Sequence, residues 1–258
     1  MAIPKIIHYC WFGRNPKPKL AEKCFESWKK FCPDYEIREW NEDNYDISQA
    51  PRYVRQAYQA KKWAFVTDFV RLQVVYLYGG IYLDTDVELI SSLDPLLENQ
   101  AYFGFEGINT VNTGLGFGAG RGCPILEELM GQYADIPFQR EDGSFDVTPC
   151  PQRNTRVFEN RGLVLNGERQ QLPGEILILP MECLCPIDPA DNRMHKTENT
   201  VSIHWFAGSW YSREDKKARR KDIWYNRTHW ITRIPNRVGT WILGKERYES
   251  ARDRLKGK

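Results

Sequence analysis

Hydrophobic and polar residues in the first 60 positions follow patterns typical of short strands and an amphipathic helix. Residues 3–12 are a β-rich apolar run that ends at a glycine and a proline-rich turn, which predicts a strand. In residues 20–31 the apolar positions recur at helical spacing, whereas residues 35–40 alternate as a strand does. Residues 41–60 are polar and are predicted to be helical in part. The chain is thus predicted to begin with a strand, a helix and a second strand.

Residues 61–78 carry the clearest helical pattern. Their apolar side chains cover most of a helix circumference, which predicts a largely buried helix. Gly79 and Gly80 supply its stop signal, and residues 81–87 begin as an apolar strand that turns acidic at its end. Helix, glycine turn and strand together make half of a β–α–β unit. The sequence therefore predicts an α/β fold with parallel strands.

The second half of the chain is less regular. Residues 101–124 are rich in glycine and are interpreted as two short strands joined by loops, followed by a short helix at 125–133. Residues 137–175 are predicted to be irregular. Residues 176–179 and 201–206 are predicted strands.

Composition and charge divide the chain into two parts. The 258 residues carry a net charge of +2, but residues 211–258 hold 15 Lys/Arg against 6 Asp/Glu, and residues 1–210 hold 21 against 28. We therefore expect a catalytic domain at 1–210 and a basic amphipathic segment at 211–258. With 41% apolar residues the chain can build a sizeable core, which excludes global disorder. The basic tail predicts an anionic partner, either membrane lipid or nucleic acid.

Targeting signals and cysteines point to a cytosolic protein. No apolar run reaches the roughly 18 residues that span a bilayer, and the first residues lack the pattern of a signal peptide. The seven cysteines are an odd number, and Cys183 and Cys185 lack the two-residue gap of a metal knuckle. Free thiols in a reducing cytosol are the expectation.

Two acidic residues follow the predicted strand that starts at Ile81. Asp84 and Asp86 stand at the carboxyl end of that strand, where ligands bind in open α/β sheets. In an extended chain residues two apart share a face, so both carboxylates are expected to serve one Mg²⁺ or Mn²⁺ that neutralises a diphosphate. A solvated turn is the alternative interpretation of the tripeptide alone.

Other charged and aromatic residues are also candidates for the site, and several of them have an alternative structural interpretation. Asp68 and Arg71 share a helix face and either pair with each other or hold a hydroxylated ligand. His204 is either a core residue of its strand or a Mn²⁺ ligand. Ser209 and Trp210 follow it with donors for a phosphate, and Trp11 is either rim packing or a platform for a nucleobase.

Four segments taken together resemble glycosyltransferase family 32. They are IPKIIHYCWFG at 3–13, AFVTDFVR at 64–71, YGGIYLDTD at 78–86 and HWFAGSW at 204–210. This family includes bacterial capsule and surface-polysaccharide transferases and yeast-type α-mannosyltransferases, and its core is similar to that of the large clostridial glucosylating toxins. The resemblance implies a GT-A fold, which is a Rossmann-like mixed sheet flanked by helices, here with a basic helical C-terminal extension.

The resemblance also implies roles in binding the donor, a UDP- or GDP-linked sugar. Trp11 would stack on the nucleobase, and Asp68 and Arg71 would hold the sugar. Asp84 would contact the ribose and the sugar, and Asn112 would face the sugar from a glycine-rich strand.

The same resemblance also implies which residues bind the metal and the diphosphate. Asp86 and His204 would bind Mn²⁺ or Mg²⁺, and Ser209 and Trp210 would reach the diphosphate from a mobile loop. The expected catalytic residues are Asp68, Arg71, Asp84 and Asp86. Family resemblance implies transfer of a hexosyl group to a glycan with retention, and no carboxylate stands out as a nucleophile.

Two other classes of protein remain as alternatives. A phosphatase with an Asp-x-Asp motif requires Thr or Val four residues after the first Asp, where this chain has Glu88. A catalytically inactive nucleotide-sugar or glycan-binding module would have lost one of the polar site residues, and none is missing.

The basic tail fits a peripheral membrane enzyme. Basic residues alternate with Trp and Ile in residues 216–243, as in helices that lie on anionic membranes. A helix packed on the domain with a solvated basic face is the alternative. No RNA-binding motif is present, so no nucleic acid is expected. Family context implies a lipid-linked glycan acceptor at the inner face of the membrane.

Overall fold

A mixed β-sheet forms the centre of the protein, and helices pack against it. The computed structural model describes residues 2–188, 190–208, 213–228, 247 and 249–250. The strands in these residues are β1 Ile6–Cys10, β2 Glu36–Trp40, β3 Gly80–Tyr82, β4 Val87–Leu89, β5 Ala101–Glu106, β6 Thr110–Val111, β7 Phe117–Ala119, β8 Gln170–Leu172, β9 Ile176–Leu179 and β10 Ser202–His204.

Helices separate many of these strands. The α-helices are α1 Lys19–Phe31, α2 Arg52–Gln59, α3 Trp63–Tyr78, α4 Pro124–Gly131, α5 Cys150–Glu159, α6 Met181–Leu184 and α7 Arg213–Thr228. Short 3₁₀ turns occur at Ile47–Gln49, Asp94–Leu96 and Thr113–Leu115. The helix and two strands predicted in the first 60 residues are confirmed, with ends shifted by a few residues.

The main sheet combines parallel and antiparallel pairs. Its strands lie in the order β2–β1–β3–β7–β5–β9–β8, with β6 paired to β5. β1 is parallel to β2 and to β3, and β5 is parallel to β9. The β3–β7, β5–β7 and β8–β9 pairs are antiparallel, and a separate two-stranded sheet joins β4 to β10. The predicted class, a mixed α/β sheet flanked by helices, is confirmed.

Two hydrophobic clusters lie on opposite faces of the main sheet. Ala101, Phe103 and Phe105 of β5 belong to one cluster, and Tyr102 between them belongs to the other. This alternation is what the period of a strand requires. The seven cysteines are free and buried, in agreement with the prediction of free thiols.

Helix α3 is largely buried because it is apolar on most of its circumference. Nine of its residues are buried, including the charged Asp68 and Arg71. The helix ends at Gly79, whose N–H bonds to the Val75 carbonyl. Gly79 has a φ of +67°, and a side chain there would meet Pro4 at 2.9 Å. Only glycine therefore fits this turn without strain, and it leads α3 directly into β3.

His8 joins three elements in the core. Its Nδ1 accepts a hydrogen bond from Trp40 Nε1 at 3.0 Å, and its Nε2 donates to the Gly79 carbonyl at 2.8 Å. Both ring nitrogens are thus used by the neutral imidazole. Burial lowers the pKa of His8 to about 4, so the ring is neutral at physiological pH. The histidine ties β1 to β2 and to the turn after α3.

Parts of the second half of the chain differ from the prediction. Residues 137–175, expected to be irregular, contain α5 and β8. Helix α5 was missed because much of its buried face is polar, with Asn154 and Thr155 facing inward. Residues 101–124 hold three strands rather than two, the third being the two-residue β6.

The described residues divide into two units, those within 1–187 and 194–210 and those within 188–193 and 211–258. In the second unit the Asn226 side-chain amide of α7 donates to the Ala190 carbonyl at 2.8 Å. The helical character predicted for the start of the tail is confirmed by α7. None of the described helices is both long and apolar enough to cross a membrane.

Candidate active site

Asp68 and Arg71 lie one turn apart on α3 and form an ion pair. Arg71 Nη2 is 3.0 Å from Asp68 Oδ1, and both side chains are almost fully buried. Arg71 Nε also donates to the Thr67 carbonyl at 3.0 Å. The pairing that their i, i+3 spacing allowed is therefore present in the structure.

Arg71 also contacts a carboxylate that follows the neighbouring strand. Its Nη1 lies 3.5 Å from Asp84 Oδ2. The hydroxyl of Tyr82 donates to Asp84 Oδ1 at 2.9 Å, and the guanidinium lies over the Tyr82 ring, 5.1 Å from its centroid. One guanidinium thus links helix α3 to the first aspartate of the Asp-Thr-Asp motif.

The pKa values in this cluster reflect burial. Burial raises the pKa of Asp68 to about 6, against the opposing effect of Arg71. Burial also raises the pKa of Asp84, again opposed by Arg71. The same burial would lower the pKa of Arg71, but its anionic neighbours raise it above its usual value, so it stays charged. One buried cation shared by two carboxylates leaves an excess of negative charge, which favours a further cation nearby.

Residues 84–87 form a tight turn between β3 and β4. The N–H of Val87 bonds to the Asp84 carbonyl at 3.0 Å. The extended backbone assumed for these residues is therefore wrong. The turn folds the chain back on itself, and this brings the side chains of Asp84 and Asp86 close together without a strand.

His204 reaches the motif from the last strand of the small sheet. β10 pairs with β4 so that His204 lies opposite Val87. Its Nε2 is 3.3 Å from Asp86 Oδ1, and the N–H of Ala207 bonds to Asp86 Oδ2 at 2.8 Å. Burial would lower the pKa of His204, but Asp86 raises it well above its ordinary value. Burial would likewise raise the pKa of Asp86, but His204 and the Ala207 N–H lower it to about 2.

Asp84, Asp86 and His204 together form a set of side chains that fits a divalent cation. Their potential ligand atoms all lie within 4.8 Å of one another. Neighbouring positions of an octahedron with bonds of ~2.1 Å are about 3 Å apart, close to the 3.3 Å between His204 Nε2 and Asp86 Oδ1. Two carboxylates with an imidazole suit Mn²⁺ better than Mg²⁺, which prefers oxygen alone.

Asn112 lies beside the cluster and is fixed in orientation. Its Oδ1 accepts from the Gly114 N–H at 2.7 Å and from the Cys150 thiol at 3.5 Å. A Cβ built on Gly114 would lie 2.8 Å from Asp84 Oδ2 and 3.0 Å from Arg71 Nη1. Gly114 therefore lets the chain that carries Asn112 approach Asp84 closely.

The remaining predicted site residues are Trp11, Ser209 and Trp210. Trp11 follows β1, whose carboxyl end meets the same sheet edge as that of the parallel β3. Its ring N–H bonds to the Asn15 carbonyl at 2.7 Å. Ser209 and Trp210 lie outside the described residues.

Three residues of the cluster were not found from the sequence. Tyr82 precedes Asp84 by two positions, and side chains two apart in a strand point to the same side. This spacing could have identified Tyr82 from the sequence. Gly114 was one of many glycines in its segment. Cys150 is distant in sequence and had no local signal at all.

Comparison with known proteins supports a general class of activity. Residues 18–103 match the family described as a glycosyltransferase sugar-binding region containing a DXD motif. That segment includes Asp68, Arg71, Asp84 and Asp86. The chain is also 32% identical over 133 residues to inositol phosphoceramide mannosyltransferase 3 of Schizosaccharomyces pombe. That alignment covers 50% of this chain and 36% of the relative's length. These matches support sugar transfer in general.

Two solved structures show a distant likeness to part of this chain. One is the PaToxG glycosyltransferase, with a TM-score of 0.48 and 18% identity over 62% of this chain and 69% of that one. The other is a glycosyltransferase involved in the glycosylation of the major capsid of PBCV-1. Its TM-score is 0.45 with 13% identity, covering 84% of this chain and 100% of that one.

Proposed function

We propose that this protein is a metal-dependent, retaining glycosyltransferase that moves a hexosyl group from a nucleotide-diphosphate sugar to a glycan. The observation that carries the proposal is the convergence of Asp84, Asp86 and His204 beside the Arg71–Asp68 pair. A cation held by these ligands can bind a diphosphate, and a buried guanidinium–carboxylate pair can bind the hydroxyls of a sugar. The match of residues 18–103 supports the same class of reaction.

The residues of the proposed metal site act on the leaving group. Asp86 and His204 would hold Mn²⁺ or Mg²⁺, and the bound ion would act as a Lewis acid on the diphosphate. Asp84 contacts Arg71 and Tyr82 at the same turn and would orient the ribose and the sugar.

We assign the sugar and the base of the donor to residues on α3 and to residues outside it. Asp68 would accept hydrogen bonds from sugar hydroxyls while Arg71 keeps it ionised and in place. Asn112 would face the sugar, and Trp11 would stack on the uracil or guanine base. Ser209 and Trp210 would add donors where charge grows on the diphosphate.

We assign the reaction to same-face attack with retention. In this route the acceptor hydroxyl bonds to the anomeric carbon as the bond to the diphosphate breaks. The proton of the hydroxyl passes to the leaving phosphate oxygen. No covalent sugar–enzyme bond forms, and an inverted product would contradict the assignment.

The acceptor is proposed to be a lipid-linked glycan, such as a capsule or surface-polysaccharide precursor, with the enzyme on the cytoplasmic face of the membrane. One face of α7 supports the membrane part of this proposal. Residues three or four apart lie on one side of a helix, and that side carries exposed cations and aromatic rings. These residues are Lys217, Arg220, Lys221, Trp224 and Tyr225.

The aromatic residues of this face are strongly exposed, Trp224 by 59% and Tyr225 by 47%. Ile223 and Asn226 lie on another side of α7 and are less exposed. Cations beside Trp and Tyr suit the headgroup region of an anionic membrane.

A screen of nucleotide sugars tests the proposed reaction. UDP- and GDP-linked hexoses are incubated with the protein and Mn²⁺, and release of the nucleotide and thermal stability are both measured. We expect one donor to be hydrolysed slowly without acceptor and to raise the melting temperature only when Mn²⁺ is present. Stabilisation with no hydrolysis and no transfer for any donor would instead indicate a binding module.

A further inference from the structure

Glu106 is a carboxylate at the edge of the site, and it belongs neither to the proposed metal ligands nor to the proposed donor-binding residues. It is the last residue of β5, and it shares a strand face with Gly104, whose Cβ position would lie 2.8 Å from Leu184 of α6. Its side chain is half-buried. It therefore lies at the end of β5, on the sheet face that Gly104 turns toward α6.

A single amide connects Glu106 to the rest of the cluster. Asn112 Nδ2 donates to Glu106 Oε2 at 2.5 Å. The other end of the same amide accepts from Gly114, the residue that packs against Asp84 and Arg71. Because both ends of the Asn112 amide are engaged, its orientation is fixed, and its Nδ2 holds one oxygen of the Glu106 carboxylate.

Contacts of Asn112 place Glu106 beside the Arg71–Asp84 contact. The amide that donates to Glu106 also accepts from the Cys150 thiol at 3.5 Å. A Cβ built on Gly114 would lie 2.8 Å from Asp84 Oδ2 and 3.0 Å from both Arg71 Nη1 and Asn112 Oδ1. One amide side chain therefore separates Glu106 from this part of the site.

The charges of the cluster set Glu106 apart. Asp68 and Asp84 share Arg71, and Asp86 pairs with His204. The ion pairs found among the described residues do not include Glu106. Its partner is a neutral amide, which holds the carboxylate in place without cancelling its charge.

An uncancelled negative charge is what the proposed reaction needs on the sugar side. When the diphosphate departs, positive charge develops at the anomeric carbon and ring oxygen. A fixed carboxylate in a partly water-excluded site stabilises such charge at no reorganisation cost. The other carboxylates of the cluster each face a cationic side chain.

We propose that Glu106, held by Asn112, supplies the negative charge that stabilises the oxocarbenium-like transition state. This assignment rests on the proposed glycosyl transfer. It requires no covalent bond between Glu106 and the sugar, so it agrees with same-face attack.

Glu106→Gln tests the assignment because it removes the charge and keeps an oxygen that accepts from Asn112. We expect kcat for transfer to fall by about 100-fold, with unchanged Mn²⁺-dependent affinity for the nucleoside diphosphate and an unchanged melting temperature. Glu106→Asp keeps the charge and should retain more activity than Glu106→Gln. Glu98→Gln, at an exposed glutamate, is the matched control and should behave as wild type.

The possible outcomes test the role of Glu106 and the proposed transferase activity separately. Wild-type kcat in Glu106→Gln, or a parallel loss of stability and nucleotide affinity, would overturn the role of Glu106 while leaving the transferase in place. Equal kcat in Glu106→Gln and Glu106→Asp would overturn it as well. Absence of both hydrolysis and transfer in the wild-type protein would overturn the proposed function itself.

Discussion

The imidazole of His204 lies 3.3 Å from the carboxylate of Asp86, although 118 positions separate them in the chain. Pairing of β10 with β4 creates this contact, and the Ala207 N–H holds the second oxygen of Asp86. Asp86 is therefore fixed in place before any cation binds. This arrangement gives a sharp prediction for the removal of Asp86.

Asp86→Ala should abolish turnover that depends on Mn²⁺. Loss of one carboxylate ligand weakens the proposed site, and we expect kcat/KM with Mn²⁺ to fall by at least about 100-fold. Titration of Mn²⁺ by calorimetry measures the binding, and circular dichroism checks the fold. Asp135→Ala, at an exposed aspartate, is the control. Normal Mn²⁺-dependent activity in Asp86→Ala would show that the metal assignment is wrong.

Asp68→Asn separates a role in sugar binding from a structural ion pair. The change keeps the shape of the side chain but removes the charge that faces Arg71. We expect transfer to fall by about 100-fold, with a much smaller change in the Kd for the nucleoside diphosphate. An equal loss in transfer and in nucleotide binding, together with a lower melting temperature, would indicate that the pair is structural.

Much of this region could be predicted from sequence because its signals are local. The apolar circumference of α3 and the turn at Gly79 predicted the helix that carries Asp68 and the strand that Asp84 follows. The structure adds contacts that depend on tertiary register, such as the approach of Gly114 to Asp84. No local pattern encodes such an approach. Helix α5 was missed for a different reason, because its inward-facing Asn154 and Thr155 weaken the apolar periodicity that identifies a buried helix.

Charge reversal on α7 tests the proposed contact with an anionic membrane. Lys217 and Lys221 are exposed one turn apart on this helix. Each cation near an anionic surface contributes about 1 kcal/mol. We therefore expect Lys217→Glu with Lys221→Glu to lower the partition onto vesicles containing phosphatidylglycerol by at least about 30-fold. Hydrolysis of a soluble donor should not change.

The control for α7 carries the same change in net charge at exposed positions of α1, Lys19→Glu with Lys30→Glu. It should bind the vesicles nearly as wild type does. Equal weakening by both pairs would show that total charge, and not the face of α7, governs the association. Deletion of residues 216–258 should likewise reduce membrane association more than donor hydrolysis.

Stability should fall in mild acid because of His8. The pKa of this buried ring is lowered from 6.5 to about 4 in the folded protein. Between these values the unfolded chain binds a proton that the folded protein does not, so the free energy of unfolding decreases as the pH falls. The stabilisation is complete above about pH 6.5 and amounts to about 3 kcal/mol, which is lost on approaching pH 4.

Urea unfolding at about pH 7 and about pH 4.5 measures this effect, with His8→Gln as the test variant. Glutamine does not titrate, so the variant should be less stable at neutral pH but should lose less stability on acidification than wild type. His195→Gln changes an exposed histidine and should keep the wild-type pH dependence. If His8→Gln and wild type lose equal stability between the two pH values, the folded and unfolded wild-type chains protonate this ring alike, and burial does not lower the pKa of His8.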